Sequence, residues 1–193
     1  ELVTPDWDGR PQISFVEVGL SNLCNLKCRM CDSRYSSKWI KDERILYGKA
    51  LVPESNSEFS LDEIQSSLFH LRHLKFTGGE PLLNPQHHQI LGSLIASGRS
   101  QSISLNYSTN ATITPTEKLI EQWQSFSRVE IALSIDGLGP VNDYVRHPSQ
   151  WPQVEAVVHR FFEVAEVHPH LFLGLRPSVS VYNLPQMPAV LHW

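Results

Sequence analysis

All three cysteines of this 193-residue chain lie within eight residues, as Cys24, Cys28 and Cys31. A disulfide between two of them would leave the third unpaired, and cysteines so close in one loop make poor structural bridges. Three thiolates on one loop suit a soft metal centre, and a four-iron cluster ordinarily takes four thiolates. The spacing therefore predicts a cluster-binding loop that leaves one iron open for chemistry.

Two other interpretations of the cysteines stay open at this point. They could be buried apolar residues, or they could belong to an incomplete zinc site. Zinc usually takes two separated pairs of Cys or His ligands. The nearest further candidates, His87 and His88, are adjacent in the sequence and lie on a predicted helix. We expect both, together with His168 and His170, to be surface-helix or loop residues.

Strand-like and helix-like segments alternate along the chain. Runs rich in β-branched and aromatic residues predict five strands, at residues 13–20, 74–77, 102–109, 129–135 and 171–181. Helical spacing and capping residues predict the helices. These lie at residues 33–47, 60–70, 85–98 and 151–167. Another helix starts at the capping residues 114–117 and includes Trp123, and a further one starts near residue 183.

This alternation predicts an α/β fold with a parallel sheet. Right-handed crossovers bring the C-terminal ends of parallel strands to one rim, where the active sites of parallel barrels lie. The cysteine loop, residues 78–81, Asn110 and residues 134–137 each follow a predicted strand, so we expect them to meet at this rim. The alternation alone does not distinguish a barrel from a doubly wound sheet.

The second strand ends in Gly78-Gly79-Glu80-Pro81. Glycines lack a Cβ atom, so their carbonyl groups can approach a ligand closely. Carbonyl and carboxylate oxygens accept hydrogen bonds from an ammonium group. An isolated glycine pair is more often a tight turn, but its position one βα unit after the cysteine loop favours an amine-binding turn.

Polar side chains follow the fourth strand. The hydroxyl of Ser134 and the carboxylate of Asp136 can bind a ribose diol, although a turn formed by Asp136 and Gly137 is the alternative. Arg146 lies in the loop that leads to the long helix. Its guanidinium group suits bidentate contact with a carboxylate, and a solvated surface arginine is the alternative.

In their order along the chain, these motifs resemble those of the radical SAM (S-adenosylmethionine) superfamily, closest to members whose core is followed by a SPASM or Twitch extension. The Cys-x3-Cys-x2-Cys loop resembles the cluster loop of this family, and residues 78–81 resemble its GGEP motif. Residues 134–137 resemble its SxDG segment, which contacts the nucleoside. Residues 108–111 resemble its STNG turn, with Ala111 in place of the glycine.

The resemblance implies a partial (β/α)6 TIM-like barrel with parallel strands, truncated after about five strands. Residues 1–193 are expected to be an incomplete radical SAM core domain without the sixth strand or any C-terminal Twitch or SPASM region. Cys24, Cys28 and Cys31 are expected to bind a 4Fe–4S cluster. The residues expected at the S-adenosylmethionine site are Gly78, Gly79, Glu80, Pro81, Ser134, Asp136, Arg146, Met30 and Asn110.

Several of these residues have specific implied roles. Residues 78–81 would hold the methionine amine of the cofactor, and Arg146 its carboxylate. Ser134 and Asp136 would contact the ribose, and Met30 would pack on the adenine in place of the aromatic residue common in the family. Asn110 is expected to be structural.

The resemblance also implies the activity. Reduction of the cluster would cleave S-adenosylmethionine to a 5′-deoxyadenosyl radical, which takes a hydrogen atom from the substrate. A peptide or protein is the favoured substrate, with a small molecule or RNA as alternatives, and the implied electron donor is a flavodoxin or ferredoxin. The alternative is a protein that is not an enzyme, namely an iron–sulfur or zinc-binding module. Such a module would not require residues 78–81 or Ser134.

Composition limits the remaining possibilities. A net charge of −4 and a pI near 6.1 give no reason to expect broad nucleic-acid binding. No apolar run approaches membrane-spanning length, so we expect no membrane partner. Unpaired cysteines favour a reducing compartment, which predicts a cytoplasmic protein. Because the sequence starts at Glu1, we expect it to be an excerpt of a longer chain.

Overall fold

A computed structural model describes residues 12–52 and 70–193. Within them, five strands form one parallel sheet. The strands are β1 (Phe15–Gly19), β2 (His73–Thr77), β3 (Ser104–Thr109), β4 (Arg128–Leu133) and β5 (Leu171–Leu175). Their order in the sheet is their order in the chain. A doubly wound sheet reverses its order at a switch point, so the predicted α/β fold with a partial barrel arrangement is confirmed.

Helices follow the strands, but the first begins at Ile40 rather than at residue 33, and the short helix Pro140–Val145 was not predicted. They are α1 (Ile40–Tyr47), α2 (Pro85–Ala96), α3 (Glu117–Trp123), α4 (Pro140–Val145), α5 (Trp151–Val167) and α6 (Met187–His192). The Asn84 side chain caps α2 by accepting a hydrogen bond from the Gln86 N–H, and Pro85 occupies the first turn. The helix predicted near residues 60–70 lies almost entirely outside the described residues. No helix in the described part of the chain is long and apolar enough to cross a bilayer.

Alternate residues of the strands bury one face of the sheet. In β2, Leu74 and Phe76 are buried, whereas Lys75 between them is only half-buried. The buried face packs against α2, α3 and α5, with Trp123 and Phe161 among the largest side chains in the core. Burial of each such side chain contributes about 1.5–3 kcal/mol, so this face anchors the sheet and thereby the rim.

The other face of the sheet is polar. A row of side chains at one level crosses β1 to β4, formed by Glu17, Lys75, Asn106 and Glu130. Lys75 pairs with Glu17 at 2.9 Å, and the Asn106 amide donates to Glu130 at 3.0 Å. This face corresponds to the interior of a barrel, and it leads up to the rim where the predicted site residues lie.

The predicted fifth strand is too long. β5 ends at Leu175, whereas the prediction extended to residue 181. Pro177 has no N–H to donate to a ladder. The Ser178 N–H instead donates to Asp136 Oδ1 at 2.7 Å, so the chain turns toward the end of β4.

The prediction for His87 is also wrong. Its side chain is fully buried, and Nε2 lies 2.8 Å from the Tyr107 hydroxyl group. Burial lowers the pKa of His87 to about 3, so the imidazole is neutral. His87 belongs to the aromatic core with Phe76 and Trp123 and not to the surface of α2.

Candidate functional site

The loops that follow β1 to β4 meet at one rim, as the topology predicts. The cysteine loop follows β1, residues 78–81 follow β2, Asn110 follows β3, and Ser134 follows β4. Direct hydrogen bonds join these loops to one another, so the predicted site residues share one structural unit.

Residues 78–81 hold the first part of the cysteine loop. The Gly79 N–H donates to the Ser21 carbonyl at 2.7 Å, and the Glu80 N–H donates to the Leu23 carbonyl at 2.8 Å. A Cβ on Gly78 would lie 2.5 Å from the Ser21 oxygen, and one on Gly79 would clash with the Leu23 carbonyl group. Gly78 also has a φ of 111°. The glycines are therefore required by the close approach of the cysteine loop itself, whereas sequence analysis attributed them to a ligand.

The segment that ends α4 holds the middle of the cysteine loop. The Lys27 N–H donates to the His147 carbonyl at 2.5 Å, and the Arg29 N–H donates to the Val145 carbonyl at 2.9 Å. These bonds place Arg146, the residue between the two acceptors, directly beside the loop.

The start of α1 holds the loop from a third side. The Trp39 indole N–H donates to the Cys28 carbonyl at 3.0 Å. The Ser36 hydroxyl donates to the Leu26 carbonyl at 2.5 Å. Neither contact could be found from the motifs, because Trp39 and Ser36 lie outside them.

The three cysteine side chains converge in this loop. Cys24 and Cys28 are buried together with Leu26, and the half-buried Cys31 packs against them. Burial raises the pKa of Cys24. A hydrogen bond between Cys28 and Cys31 raises the pKa of Cys28 and lowers that of Cys31 to about 7. Arg146 favours the thiolate form of both of these residues.

The number and type of the donors in this loop suit an iron–sulfur cluster. Among residues 12–52 and 70–193, no three His, Cys, Asp or Glu side chains are placed to hold one ion. In an iron–sulfur cluster each thiolate binds a different iron, so the three sulfur atoms need to line one cavity without meeting at a point. The chain has no fourth cysteine, so its donor set matches a cluster with one iron free of cysteine.

Glu80 joins two of the rim loops. Its side chain is only 1% exposed. Oε1 accepts hydrogen bonds from the Thr109 hydroxyl at 2.9 Å and from the Leu82 N–H at 3.2 Å, and Oε2 accepts one from the Asn110 N–H at 2.7 Å. Burial raises the pKa of Glu80 to about 7 against the effect of these bonds. One acceptor position on Oε2 is left for a cofactor amine, so that role stays a prediction.

Asn110 connects the third loop to the cysteines. Its Nδ2 donates to Asn25 Oδ1 at 2.9 Å and lies 3.8 Å from Cys24 Sγ. The next residue, Ala111, has a φ of 55°, the left-handed conformation that glycine adopts most easily. The turn thus keeps its shape without the glycine of the family motif. The contact with the Cys24 sulfur is one that sequence analysis missed.

Asp136 and Arg146 bind each other. Asp136 is fully buried, and its Oδ2 forms an ion pair with Arg146 Nε at 2.7 Å. The N–H of Arg146 Nε does not point at this oxygen, so the pair is not a hydrogen bond. Sequence analysis assigned Asp136 to the ribose and Arg146 to the methionine carboxylate. The structure gives each a protein partner, so both roles stay predictions that require this pair to open.

Three other residues predicted at the cofactor site lie at the rim, and they differ from one another in solvent exposure. Ser134 is half-buried, and within the described residues its hydroxyl group has no hydrogen-bond partner, so it is open to a ligand. Met30 is 43% exposed beside Cys31. Pro81 is buried at the start of a short 3-10 turn, so its contact with the cofactor stays a prediction.

A cavity of about 710 Å³ opens next to the cysteine loop. It extends over the polar face of β1 and β2, and its lining includes Gly19, Ser21, Asn22, Thr77 and Gly78. This volume lies within the range of small-molecule and cofactor sites. The described lining includes Ser21 and Asn22 at the start of the cysteine loop but none of the three cysteines, so the space for an organic ligand adjoins the start of that loop.

One curated relative is similar to this chain in sequence. The chain is 24% identical over 190 residues to GTP 3′,8-cyclase of Cyanothece sp. (strain PCC 7425 / ATCC 29141), covering 94% of this chain and 54% of the relative. The chain thus spans about half the length of this curated relative.

Solved structures show the same fold. Streptococcus suis SuiB superposes with a TM-score of 0.60 at 17% identity, over 94% of this chain and 36% of SuiB. The structure of anSMEcpe with bound AdoMet gives a TM-score of 0.55 at 20% identity, over 84% of this chain and 42% of that chain. At these identities the likeness shows the fold alone.

The family is shown by a profile that matches most of the chain. The profile of the radical SAM superfamily matches residues 18–174, a span that runs from β1 into β5 and includes the cysteine loop. Members of this family bind a 4Fe–4S cluster and S-adenosylmethionine, as the sequence analysis predicted. The chain belongs to the radical SAM superfamily.

Proposed function

We propose that this chain is the cofactor-binding core of an enzyme that cleaves S-adenosylmethionine reductively and abstracts a hydrogen atom from its substrate. Cys24, Cys28 and Cys31 would hold the 4Fe–4S cluster. When bound, the cluster and S-adenosylmethionine supply one-electron cleavage of the sulfonium and a radical that takes the hydrogen atom. The protein binds these cofactors, orients them and excludes water.

One observation carries this proposal. The chain's three cysteines converge on a loop that is hydrogen-bonded on three sides, at the rim of a parallel sheet. A cofactor site needs its ligands held in place before the cofactor binds, and these contacts supply such support. A loop that served only as packing would not need three convergent thiols.

The other rim residues support the second cofactor in our proposal. The carbonyl groups of Gly78 and Gly79 face the methionine amine, and Glu80 holds their turn and offers its remaining acceptor position. The free hydroxyl of Ser134 binds the ribose. Met30 packs on the adenine.

Peptide or protein modification is the reaction class that we favour. Two of the structural neighbours were solved with peptides, SuiB with the precursor peptide SuiA and anSMEcpe with the Kp18Cys peptide. A nucleotide substrate is the second candidate, because the curated relative is a GTP 3′,8-cyclase. We further propose a flavodoxin or ferredoxin as electron donor and the cytoplasm as location, where thiols stay reduced.

The cofactor assignment is tested by replacing each cysteine with serine, a residue of nearly the same size. After anaerobic reconstitution we expect each of the three variants to lose the visible charge-transfer absorption and the formation of 5′-deoxyadenosine from S-adenosylmethionine with dithionite. Circular dichroism controls for folding. A normal 4Fe–4S spectrum in any single variant would contradict the ligand assignment.

The parent protein distinguishes the enzyme from the non-catalytic module. A parent that binds iron and sulfide but releases no 5′-deoxyadenosine would support an electron-transfer or structural cluster instead. The two substrate classes are then compared by mass spectrometry of reactions that contain either GTP or candidate peptides.

A further inference from the structure

Positive charge is concentrated around the cysteine loop and α1. Residues 27–49 contain seven of the 16 Lys and Arg residues but only three of the 20 Asp and Glu residues of the chain. This stretch therefore carries a net charge of +4, although the whole chain carries −4. Such asymmetry marks a surface for an acidic partner more reliably than the net charge does.

The three acidic residues of this stretch are already engaged. Asp32 pairs with Arg34 at 2.6 Å, and Asp42 pairs with Lys27. Glu43 is buried, where it accepts hydrogen bonds from the Ser33 N–H and hydroxyl and from the Leu51 N–H. None of these carboxylates is left to neutralise the remaining cations.

Four cations of this stretch are exposed and have no ion-pair partner in the part of the chain that the structure describes. They are Lys38, Lys41, Arg44 and Lys49, which together we name the α1 basic surface. Helix α1, which carries Lys41 and Arg44, also carries exposed apolar side chains. Ile45, Leu46 and Tyr47 are 72%, 65% and 71% exposed. Exposed apolar side chains bordered by charges are typical of protein interaction sites.

The α1 basic surface adjoins the cysteines. Trp39, which follows Lys38, donates its indole N–H to the Cys28 carbonyl at 3.0 Å. The Lys27 ammonium lies 5.4 Å from the centre of the Trp39 ring. Trp39, between Lys38 and α1, therefore connects this part of the chain directly to the cysteine loop.

We propose that the α1 basic surface docks an acidic protein that donates one electron to the cluster, an inference that rests on the proposed function. The donor is oxidised by one electron and the cluster is reduced by one, with no bond made or broken. Complementary charge steers such encounters and sets their dependence on salt.

Two observations favour a protein donor over a nucleotide or an RNA. The exposed apolar residues of α1 offer area that a protein partner can bury, whereas phosphates need only the cations. Among the described residues, the lining of the 710 Å³ cavity includes Arg34 and Ile40 but none of the four cations. The four cations of the α1 basic surface thus do not line the space that a small substrate would enter.

The helices of this chain offer a closely matched test. Lys41 is the second residue of α1, and Lys118 is the second residue of α3, where it is also exposed. Glutamate is favourable in the first turn of a helix, so Lys41→Glu and Lys118→Glu should both fold. The two variants change the net charge equally but differ in their distance along the chain from the cysteines.

The experiment uses the cluster-loaded protein and measures cluster reduction by stopped-flow spectroscopy. The reductants are a photoreduced flavodoxin of net negative charge and, separately, dithionite. We expect Lys41→Glu to slow reduction by flavodoxin about tenfold at low salt and to weaken its salt dependence. Lys118→Glu should match the parent, and dithionite should reduce all three proteins equally.

Equal rates for Lys41→Glu and the parent with flavodoxin, or an equal loss in Lys118→Glu, would overturn the docking surface. So would a Lys41→Glu variant that keeps its flavodoxin rate but loses peptide or GTP binding, because the surface would then belong to the substrate. Failure of dithionite to drive 5′-deoxyadenosine formation in the parent is a different result. It would remove the proposed function, and this inference with it.

Discussion

Single residues at the rim act mainly by holding other residues in place. Glu80 satisfies donors from the loop after β3, and Asn110 in that loop contacts Cys24 Sγ. Hydrogen bonds to sulfur are among the features that set the potential of an iron–sulfur cluster. We therefore predict that the contacts from Glu80 through Asn110 to Cys24 would influence the reduction potential of a cluster bound at Cys24.

Asn110→Ala tests this link. Loss of the N–H near Cys24 Sγ should lower the reduction potential of the cluster, because the donor favours the more negative reduced state. We expect about a tenfold shift in the ratio of reduced to oxidised cluster at a fixed potential, which is about 59 mV for one electron. A redox titration followed by EPR measures it.

Thr112→Val is the control for this prediction. It removes the hydroxyl group that contacts Asn110 Oδ1 and Asn25 Nδ2 but leaves the contact with Cys24. The same potential in Asn110→Ala and the parent protein would show that Asn110 only shapes the loop.

At the scale of elements, the cysteine loop depends on three neighbours. It is fastened by the turn after β2, by the end of α4 and by the start of α1. The closest of these contacts is backbone against backbone at Gly78 and Gly79, where there is no room for a side chain. The loop geometry is thus coupled to β2, an element far away in sequence.

Gly79→Ala should disrupt cluster binding. The new Cβ meets the backbone of Leu23 and Asn22, which cannot move aside as a flexible side chain can. We expect a loss of about 1–3 kcal/mol in stability, the usual cost of overpacking, and a much lower iron and sulfide content after reconstitution.

Gly174→Ala serves as the matched control, since nothing lies within 4 Å of a Cβ at this glycine in β5. It should load iron like the parent protein. Full iron content in Gly79→Ala would mean that the loop can shift without harm to the site.

At the scale of the whole molecule, the helix-covered face of the sheet carries the stability and the rim carries the chemistry. The core includes one group that resists charging, His87, whose pKa burial lowers to about 3. In the unfolded chain a histidine has a pKa near 6.5. Between about pH 3 and pH 6.5, the folded state therefore binds fewer protons at this residue than the unfolded state does.

The consequence is a loss of stability in acid. Above about pH 6.5 His87 is neutral in both states and does not lower the free energy of unfolding. As the pH falls from 6.5 toward 3, the free energy of unfolding decreases by up to about 1.4 kcal/mol per pH unit because of this residue. We expect His87→Gln, which cannot titrate, to reduce the slope of unfolding free energy against pH between about pH 6 and 4. Urea unfolding at several pH values measures this slope.

The neighbouring His88 gives the comparison for this experiment. It is half-buried and contacts Gln122, so His88→Gln should change the slope less. Identical slopes in His87→Gln and the parent protein would show that the buried imidazole is not the source of the acid sensitivity.

The order of the elements and the motifs at their ends could be predicted from the sequence because both depend on local patterns. Alternating burial, capping residues and turn glycines recur at fixed spacing, and strand boundaries for β1 to β4 differ from the prediction by no more than two residues. The α5 boundaries, Trp151–Val167, agree with the prediction at both ends. The three cysteines were predicted to form one cluster site because their spacing and the motifs after the later strands together resemble one family.

The partners of the rim side chains were decided by the tertiary structure. A sequence shows that Asp136 and Arg146 are charged, but not that burial leaves each as the other's partner at 2.7 Å. It shows two glycines, but not that the cysteine loop packs against them. It shows His87 on an amphipathic helix, but not that this residue faces the core. Contacts between residues far apart in sequence depend on how whole elements pack, and local patterns carry no record of that packing.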